Sequence, residues 1–127
     1  MEEKIIAVFG GSFNPPINSH VNLANQVLEE IENIKKVIFV PVSTKYSKPN
    51  LISDEHRYNM LKIICDENSK FEVSNIEMQA QKQPYTLETL DYFKFKNKNS
   101  KIYFICRNRQ FKRNRELVSV RKLIKKV

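Results

Sequence analysis

The chain of 127 residues contains no tryptophan and only two glycines and two cysteines. No apolar run approaches the roughly 18 residues of a membrane-spanning helix, so we expect no membrane partner. Cys65 and Cys106 lack metal-site spacing and no secretory signal is visible, which predicts a cytoplasmic protein with buried free thiols. Hydrophobic residues make up 41% of the chain, which argues against a disordered chain and suffices for one domain with a real core.

Acidic residues are scarce in one segment only. Residues 106–127 contain nine lysines and arginines and a single acid, Glu116, whereas residues 1–105 contain 13 basic and 13 acidic residues. The net charge of +8 therefore belongs to the tail. We divide the chain into a domain, 1–105, and a basic tail, 106–127, and the charge gives no reason to expect that the domain binds nucleic acid.

Short apolar runs alternate with amphipathic segments along the domain. Three segments with helical spacing begin near His20, at Ser53 as an N-cap, and at Thr86 as a possible cap. The order β-α-β-α-β-α-β predicts an α/β fold with a Rossmann-like parallel sheet and flanking helices, incomplete at the C-terminus. The four predicted strands are Lys4–Phe9, Lys36–Val40, Phe71–Glu77 and Lys101–Ile105.

Both glycines, Gly10 and Gly11, lie at the end of the first predicted strand, just before the helix that carries His20 in its first turn. Ligands of open α/β sheets bind beyond the carboxyl ends of the strands, glycine permits close backbone approach, and helix N-termini attract phosphate. These features predict a nucleotide-phosphate site. The alternative is an ordinary strand-to-helix turn that requires glycine for its own backbone, with His20 as a helix-start residue. The string matches neither the dinucleotide fingerprint nor the P-loop, so both of those classes are disfavoured.

The segment from Phe9 to His20 reads Phe-Gly-Gly-Ser-Phe-Asn-Pro-Pro-Ile-Asn-Ser-His. It resembles the signature of the nucleotidyltransferase (cytidylyltransferase-like) superfamily, in particular its nicotinate-nucleotide adenylyltransferase branch. Three later segments are similar to that family in the same order, so that the resemblance covers residues 4–105: Val40–Val42 with Lys45–Tyr46 and His56–Leu61, then Pro84–Leu90, then Ile102–Ile105.

The resemblance implies transfer of AMP from ATP, with Mg²⁺, to a pyridine mononucleotide such as nicotinate mononucleotide, with release of pyrophosphate in NAD biosynthesis. Lys45 and Thr86 are weaker candidates for binding the acceptor; a solvated lysine and a helix cap are the alternatives. Arg57 is expected to anchor its helix, and no protein ligand to a metal is predicted. His20 is the expected catalytic residue, and the ATP-binding positions carried over from the motif are Gly10, Gly11, Ser12, Phe13, Ile17 and His20.

Three departures from the family pattern predict impaired catalysis. Ile17 stands where the family has histidine or threonine, and an isoleucine side chain cannot donate a hydrogen bond to phosphate. Ser19 replaces a glycine, and the family's Gly-x-Asp-Asn and Ser-Ser/Thr-x-x-Arg segments are absent after Ile105. The alternatives are a non-catalytic nucleotide-binding remnant and a polyanion binder that acts through the tail.

The tail itself has two interpretations. Back-translated with chosen permitted codons and read from the second base, it yields Val-Gly-Ile-Asp-Asn after Ile105, which contains the missing Gly-x-Asp-Asn. We therefore hypothesise that residues 106–127 are a frameshift product from a gene for a longer adenylyltransferase, and sequencing the coding DNA tests this. The alternative is a genuine basic helix, with apolar residues at helical spacing: Leu117, Val120, Ile124 and Val127.

Overall fold

The computed structural model describes residues 4–45, 51–80, 86–105 and 124–126. The elements within these ranges alternate between strand and helix as far as β3. In chain order they are β1 (Lys4–Gly11), α1 (Asn18–Glu30), β2 (Ile34–Pro41), α2 (Asp54–Asp66), β3 (Phe71–Val73), α3 (Ile76–Gln79), α4 (Thr86–Lys96), β4 (Ser100–Ile105) and β5 (Ile124–Lys126).

The strands form one sheet in the order β3-β2-β1-β4-β5. β1 pairs in parallel with β2 and β4, and β2 pairs in parallel with β3, so the predicted four-stranded parallel sheet with flanking helices is confirmed. The short β5 runs antiparallel to β4, with Ile124 opposite Ile105. The helical alternative for the tail is therefore wrong for Ile124–Lys126, and the rest of residues 106–127 lies outside the described residues.

The central strand β1 is buried on both faces. Its residues Ile5, Ala7 and Phe9 belong to the core cluster that includes α1 and α2, whereas Ile6 and Val8 belong to a second cluster with residues of α4. This explains the continuous apolar run in the sequence, because neither face of the strand meets water. Between β1 and β4 the strand order changes direction, and in open α/β sheets this is the point beyond which ligands bind.

The helix starts agree with the predictions to within two residues. α1 begins at Asn18, two residues before His20, and Ile17 is its N-cap residue. α2 is capped by Ser53 as predicted, because the Ser53 hydroxyl accepts a hydrogen bond from the backbone N–H of His56 over 3.3 Å. α4 includes Thr86 as its first residue.

The third predicted strand, Phe71–Glu77, is wrong in its second half. β3 ends at Val73, and the backbone N–H of Ser74 makes the last bond, to the carbonyl of Phe39. The Ser74 hydroxyl then accepts from the N–H of Ile76, and the short helix α3 begins there. Ile76 still packs against the apolar cluster under α4, so alternation of apolar residues did not distinguish strand from helix here.

Cys65 is a buried free thiol on α2, as expected, whereas Cys106 lies outside the described residues. Within the ranges given above, the structure has no helix that combines the length and apolar character needed to cross a membrane.

Candidate functional site

The two glycines end β1 in extended conformation. Gly11 lies opposite Pro41 of β2, and neither glycine has a positive φ. The residue of the turn with left-handed backbone is Phe13, with φ 48°. The idea that the turn itself requires a glycine is therefore wrong, and what Gly10 and Gly11 contribute is an end of the strand without side chains.

Two carbonyl groups of the turn accept hydrogen bonds from donors elsewhere in the protein. The carbonyl of Gly11 accepts from the N–H of Val42 over 3.0 Å, and the carbonyl of Ser12 accepts from Arg57 Nη1 over 2.9 Å. A bare carbonyl oxygen would repel a phosphate, whereas outward N–H groups attract one. Because these two carbonyls already have donors, the turn is suited to face an anion.

His20 is held beside this turn by the start of α1. Its Nδ1 atom accepts a hydrogen bond from the backbone N–H of Ile17 over 2.9 Å. The neutral ring therefore carries its proton on Nε2, an assignment that follows from the hydrogen-bond partner. The ring also contacts Phe13 and Phe9 edge to face, with centroids 5.0 and 6.2 Å apart. These contacts fix the direction of the imidazole.

The remaining motif residues have different surroundings. Ser12 and Ile17 are exposed, Ile17 at 48% of its surface, and Ile17 serves α1 through its backbone. Phe13 is only 2% exposed, and its ring packs 5.2 Å from Phe9 and 5.7 Å from Phe39. Phe13 can therefore meet a ligand through its backbone but hardly through its ring.

The two candidate acceptor residues lie on other elements. Lys45 is exposed in the loop after β2, and its Nζ donates to the carbonyl of Met78 in α3 over 3.4 Å. Since β2 is parallel to β1, this loop follows the same carboxyl edge of the sheet as the glycine turn. Thr86 begins α4, and its side chain lies outside what the structure describes.

A partly buried polar network joins the turn to the loop after β2. Arg57, 0% exposed, binds Ser12 in the turn and Asp54 in its own helix, which confirms its anchoring role. Asp54 also accepts from the Ser43 hydroxyl and the Thr44 N–H, each over 2.8 Å. Burial by itself raises the pKa of Asp54, but the hydrogen bonds from Thr44 and Ser43 and the charge of Arg57 outweigh it and hold the pKa below its ordinary value of 3.8. Arg57 stands out in the sequence as the lone arginine before residue 106, whereas no sequence pattern points to Ser43.

No group of three histidine, cysteine, aspartate or glutamate side chains in the described parts of the chain is arranged to hold a metal ion. An open cavity of about 250 Å³ lies elsewhere, between α4 and the sheet edge at β3. Its lining includes Lys36, Glu72, Tyr92 and Lys96, and Lys36 belongs to the amino-terminal half of β2. None of its lining residues belongs to the glycine turn or to the start of α1, although the lining includes Ser74 and Asn75, which follow the carboxyl end of β3.

The sequence model of the cytidylyltransferase-like family matches residues 8–127. Curated relatives from Clostridium tetani and Clostridium botulinum, each bearing the name "Probable nicotinate-nucleotide adenylyltransferase", are 36% and 37% identical to this chain over 102 and 101 residues. Those alignments cover 79% and 78% of this chain. The chain spans about half the length of the curated relatives it matches, since 50% of each relative is covered.

A solved structure is also similar. Nicotinic acid mononucleotide adenylyltransferase of Plasmodium falciparum, complexed with NaAD, superposes with a TM-score of 0.64 at 25% sequence identity. The match covers 80% of this chain and 50% of that protein, and it confirms the Rossmann-like fold.

Proposed function

Because this chain belongs to the cytidylyltransferase-like family, we propose that it transfers the AMP moiety of ATP to nicotinate mononucleotide and releases pyrophosphate. The observation that carries the proposal is the placement of His20 beside the Gly10–Phe13 turn, at the carboxyl end of the central strand. The names of the relatives support the choice of acceptor.

The reaction needs positioning and charge stabilisation more than acid–base chemistry. A phosphate oxygen of the mononucleotide attacks the α-phosphorus of ATP, and the bond from that phosphorus to the bridging oxygen breaks as pyrophosphate leaves. The attacking phosphate is already anionic, so no strong base is required. The Nε2–H of His20 donates to an ATP phosphate oxygen, and the backbone of residues Gly10 to Phe13 lies against the nucleotide.

Mg²⁺ would neutralise charge on the triphosphate. The described residues offer no three-ligand cage, so we expect the ion to arrive with ATP and to be coordinated mainly by phosphate oxygens and water. Lys45, at the same sheet edge, and Thr86 are the proposed contacts of the acceptor nucleotide, Lys45 as a cation for its phosphate.

A coupled assay tests the proposal. The chain is incubated with ATP, MgCl₂ and nicotinate mononucleotide, and the dinucleotide is separated by chromatography while pyrophosphate is counted enzymatically. Equal amounts of both products are expected, and an ATP analogue with a methylene group between the α- and β-phosphorus should bind without reaction. If no product forms and ATP does not bind, the proposed function is wrong.

A second candidate is a nucleotide-binding remnant without catalysis. Ile17 favours it, because an exposed apolar side chain stands in the first turn where the related motif has a donor. This candidate predicts an ATP-dependent rise in Tm with no turnover. The third candidate, favoured by the nine lysines and arginines of residues 106–127, is a polyanion-binding tail. It predicts binding that falls steeply with salt and disappears when residues 106–127 are deleted.

A further inference from the structure

Arg57 is completely buried, and its guanidinium serves three oxygen acceptors. Nε donates to the carbonyl of Ile52 over 2.6 Å, Nη1 to the carbonyl of Ser12 over 2.9 Å, and Nη2 to Asp54 Oδ1 over 2.7 Å. A buried guanidinium is tolerated only when its donors and its charge are matched in this way. Ser12, 45 residues earlier in the chain, belongs to the proposed nucleotide turn.

The bond to Ser12 bears on the orientation of one peptide group. In a trans peptide the C=O and the N–H point in opposite directions, so a Ser12 carbonyl drawn toward Arg57 leaves the Phe13 N–H directed away from it. The φ of Phe13, at 48°, is one that a bulky residue seldom adopts. Turning the peptide over would return Phe13 to a negative φ and would exchange the sides of the carbonyl and the N–H. Something must hold the disfavoured orientation, and the Arg57 bond is in place to do so.

We propose that Arg57 is a positioning residue of the nucleotide site, which holds the Ser12–Phe13 peptide with its carbonyl toward the interior and its N–H toward a bound phosphate. Arg57 touches no nucleotide itself. Asp54 completes the arrangement, because it accepts from Arg57 and also from Ser43 and Thr44 in the loop after β2. The inference rests on the proposed function, since it assumes that ATP binds at this turn.

The scarcity of glycine supplies a selective probe. Protein labelled with ¹⁵N-glycine in a cell-free extract gives two amide signals, from Gly10 and Gly11, and both residues belong to the Gly10–Phe13 turn. Titration with MgATP then follows the environment of this turn without overlapping signals from the rest of the chain. The same spectra report the local backbone before ATP is added.

Arg57→Lys keeps the charge but loses the planar fork that reaches three carbonyl and carboxylate oxygens at once. We expect its two glycine signals to shift before ATP is added and its Kd for MgATP to rise by about tenfold or more. The control Leu61→Ala, one turn further along α2, removes a fully buried side chain of the core. It should lower Tm comparably while the Kd stays within about twofold.

Asp54→Asn is the second variant, in case Arg57→Lys does not fold. It weakens one partner of Arg57 and should move the glycine signals in the same direction with a smaller rise in Kd; Asp66→Asn, at the exposed end of the same helix, should move neither. If a folded Arg57→Lys variant keeps the glycine signals and the Kd of the unmodified chain, the role of Arg57 is overturned and the proposed function stays intact. If Arg57→Lys does not fold, the same result in Asp54→Asn leads to the same conclusion. If MgATP moves neither signal in the unmodified chain, the proposed function itself fails at this turn.

Discussion

The backbone N–H of Ile17 donates to Nδ1 of His20 over 2.9 Å, so the histidine caps the helix that carries it. The chain's other histidine, His56, stands at the equivalent third position of α2, where its Nδ1 lies 3.0 Å from the Ser53 hydroxyl. The two histidines thus have similar local roles. His20 in addition lies beside the glycine turn, through its ring contact with Phe13.

The similar local roles of His20 and His56 allow a matched test of His20. His20→Ala should lower the free energy of unfolding by about 1 kcal/mol, because a capping bond is lost, and should raise the Kd for MgATP by about tenfold or more. Calorimetry gives the Kd and denaturant titration gives the stability.

His56→Ala serves as the control, with a similar small loss of stability and an unchanged Kd. His20→Gln should recover stability, because a glutamine at this position can accept the same backbone N–H, but it should not recover full affinity. Equal ATP affinity in His20→Ala and the unmodified chain would reduce His20 to a capping residue.

Local patterns in the sequence were sufficient for some features and insufficient for others. The apolar run of β1 and the Ser53 cap depend on neighbouring residues, and both were predictable. The end of β3 could not be predicted, because it depends on a hydrogen bond between two strands. The backbone N–H of Ser74 donates to the carbonyl of Phe39 in β2. The link from Asp54 to Ser43 likewise joins the first residue of α2 to the loop after β2, which no local spacing reveals.

Ile17 offers a gain-of-function prediction. Its side chain is 48% exposed, so Ile17→His should be accommodated without loss of stability and should add a donor in the first turn of α1. A hydrogen bond to a charged phosphate predicts about tenfold tighter MgATP binding, measured by calorimetry. Ile63→His, at an isoleucine of α2 that is 64% exposed, should change nothing.

Adding Ser19→Gly to Ile17→His completes the family motif at residues 17–20. The glycine should cost about 0.5–1 kcal/mol of stability, since it lies within α1. If turnover rises in the double variant, the altered motif limits catalysis. Tighter binding without any turnover would instead show that the motif at residues 17–20 does not limit catalysis.

The Cys65 thiol should be inert in the folded chain. Burial, with smaller contributions from Asp66 and Glu72, raises its pKa from 9.0 to about 12. In a Cys106→Ser background, the remaining thiol should react with a disulfide reagent at least about tenfold more slowly than in concentrated guanidinium chloride. Rapid labelling of the native protein would contradict the burial of Cys65.

The stability linked to the Cys65 thiol is complete below pH 9.0 and is lost as the pH rises toward 12, because the unfolded chain releases the proton first.

Glu77 predicts a pH dependence of stability in the acidic range. Burial raises the pKa of its carboxyl above the ordinary 4.5, and the hydrogen bond that Thr89 Oγ1 donates to Oε2 over 3.0 Å only partly opposes this. The folded state therefore holds this proton more tightly than the unfolded state, and the linked stability is complete below pH 4.5 and is lost as the pH rises through the raised value.

Glu77→Gln removes the buried charge while its amide oxygen still accepts from Thr89. Its Tm at neutral pH should exceed that of the unmodified chain by a few degrees, and the difference should shrink below pH 4.5, where Glu77 is protonated in both states. Glu32→Gln, at an exposed glutamate just after α1, controls for the change in net charge. An equal gain in Tm at every pH would show that the charge of Glu77 is not the cause, because only a titrating carboxyl makes the benefit of the amide depend on pH.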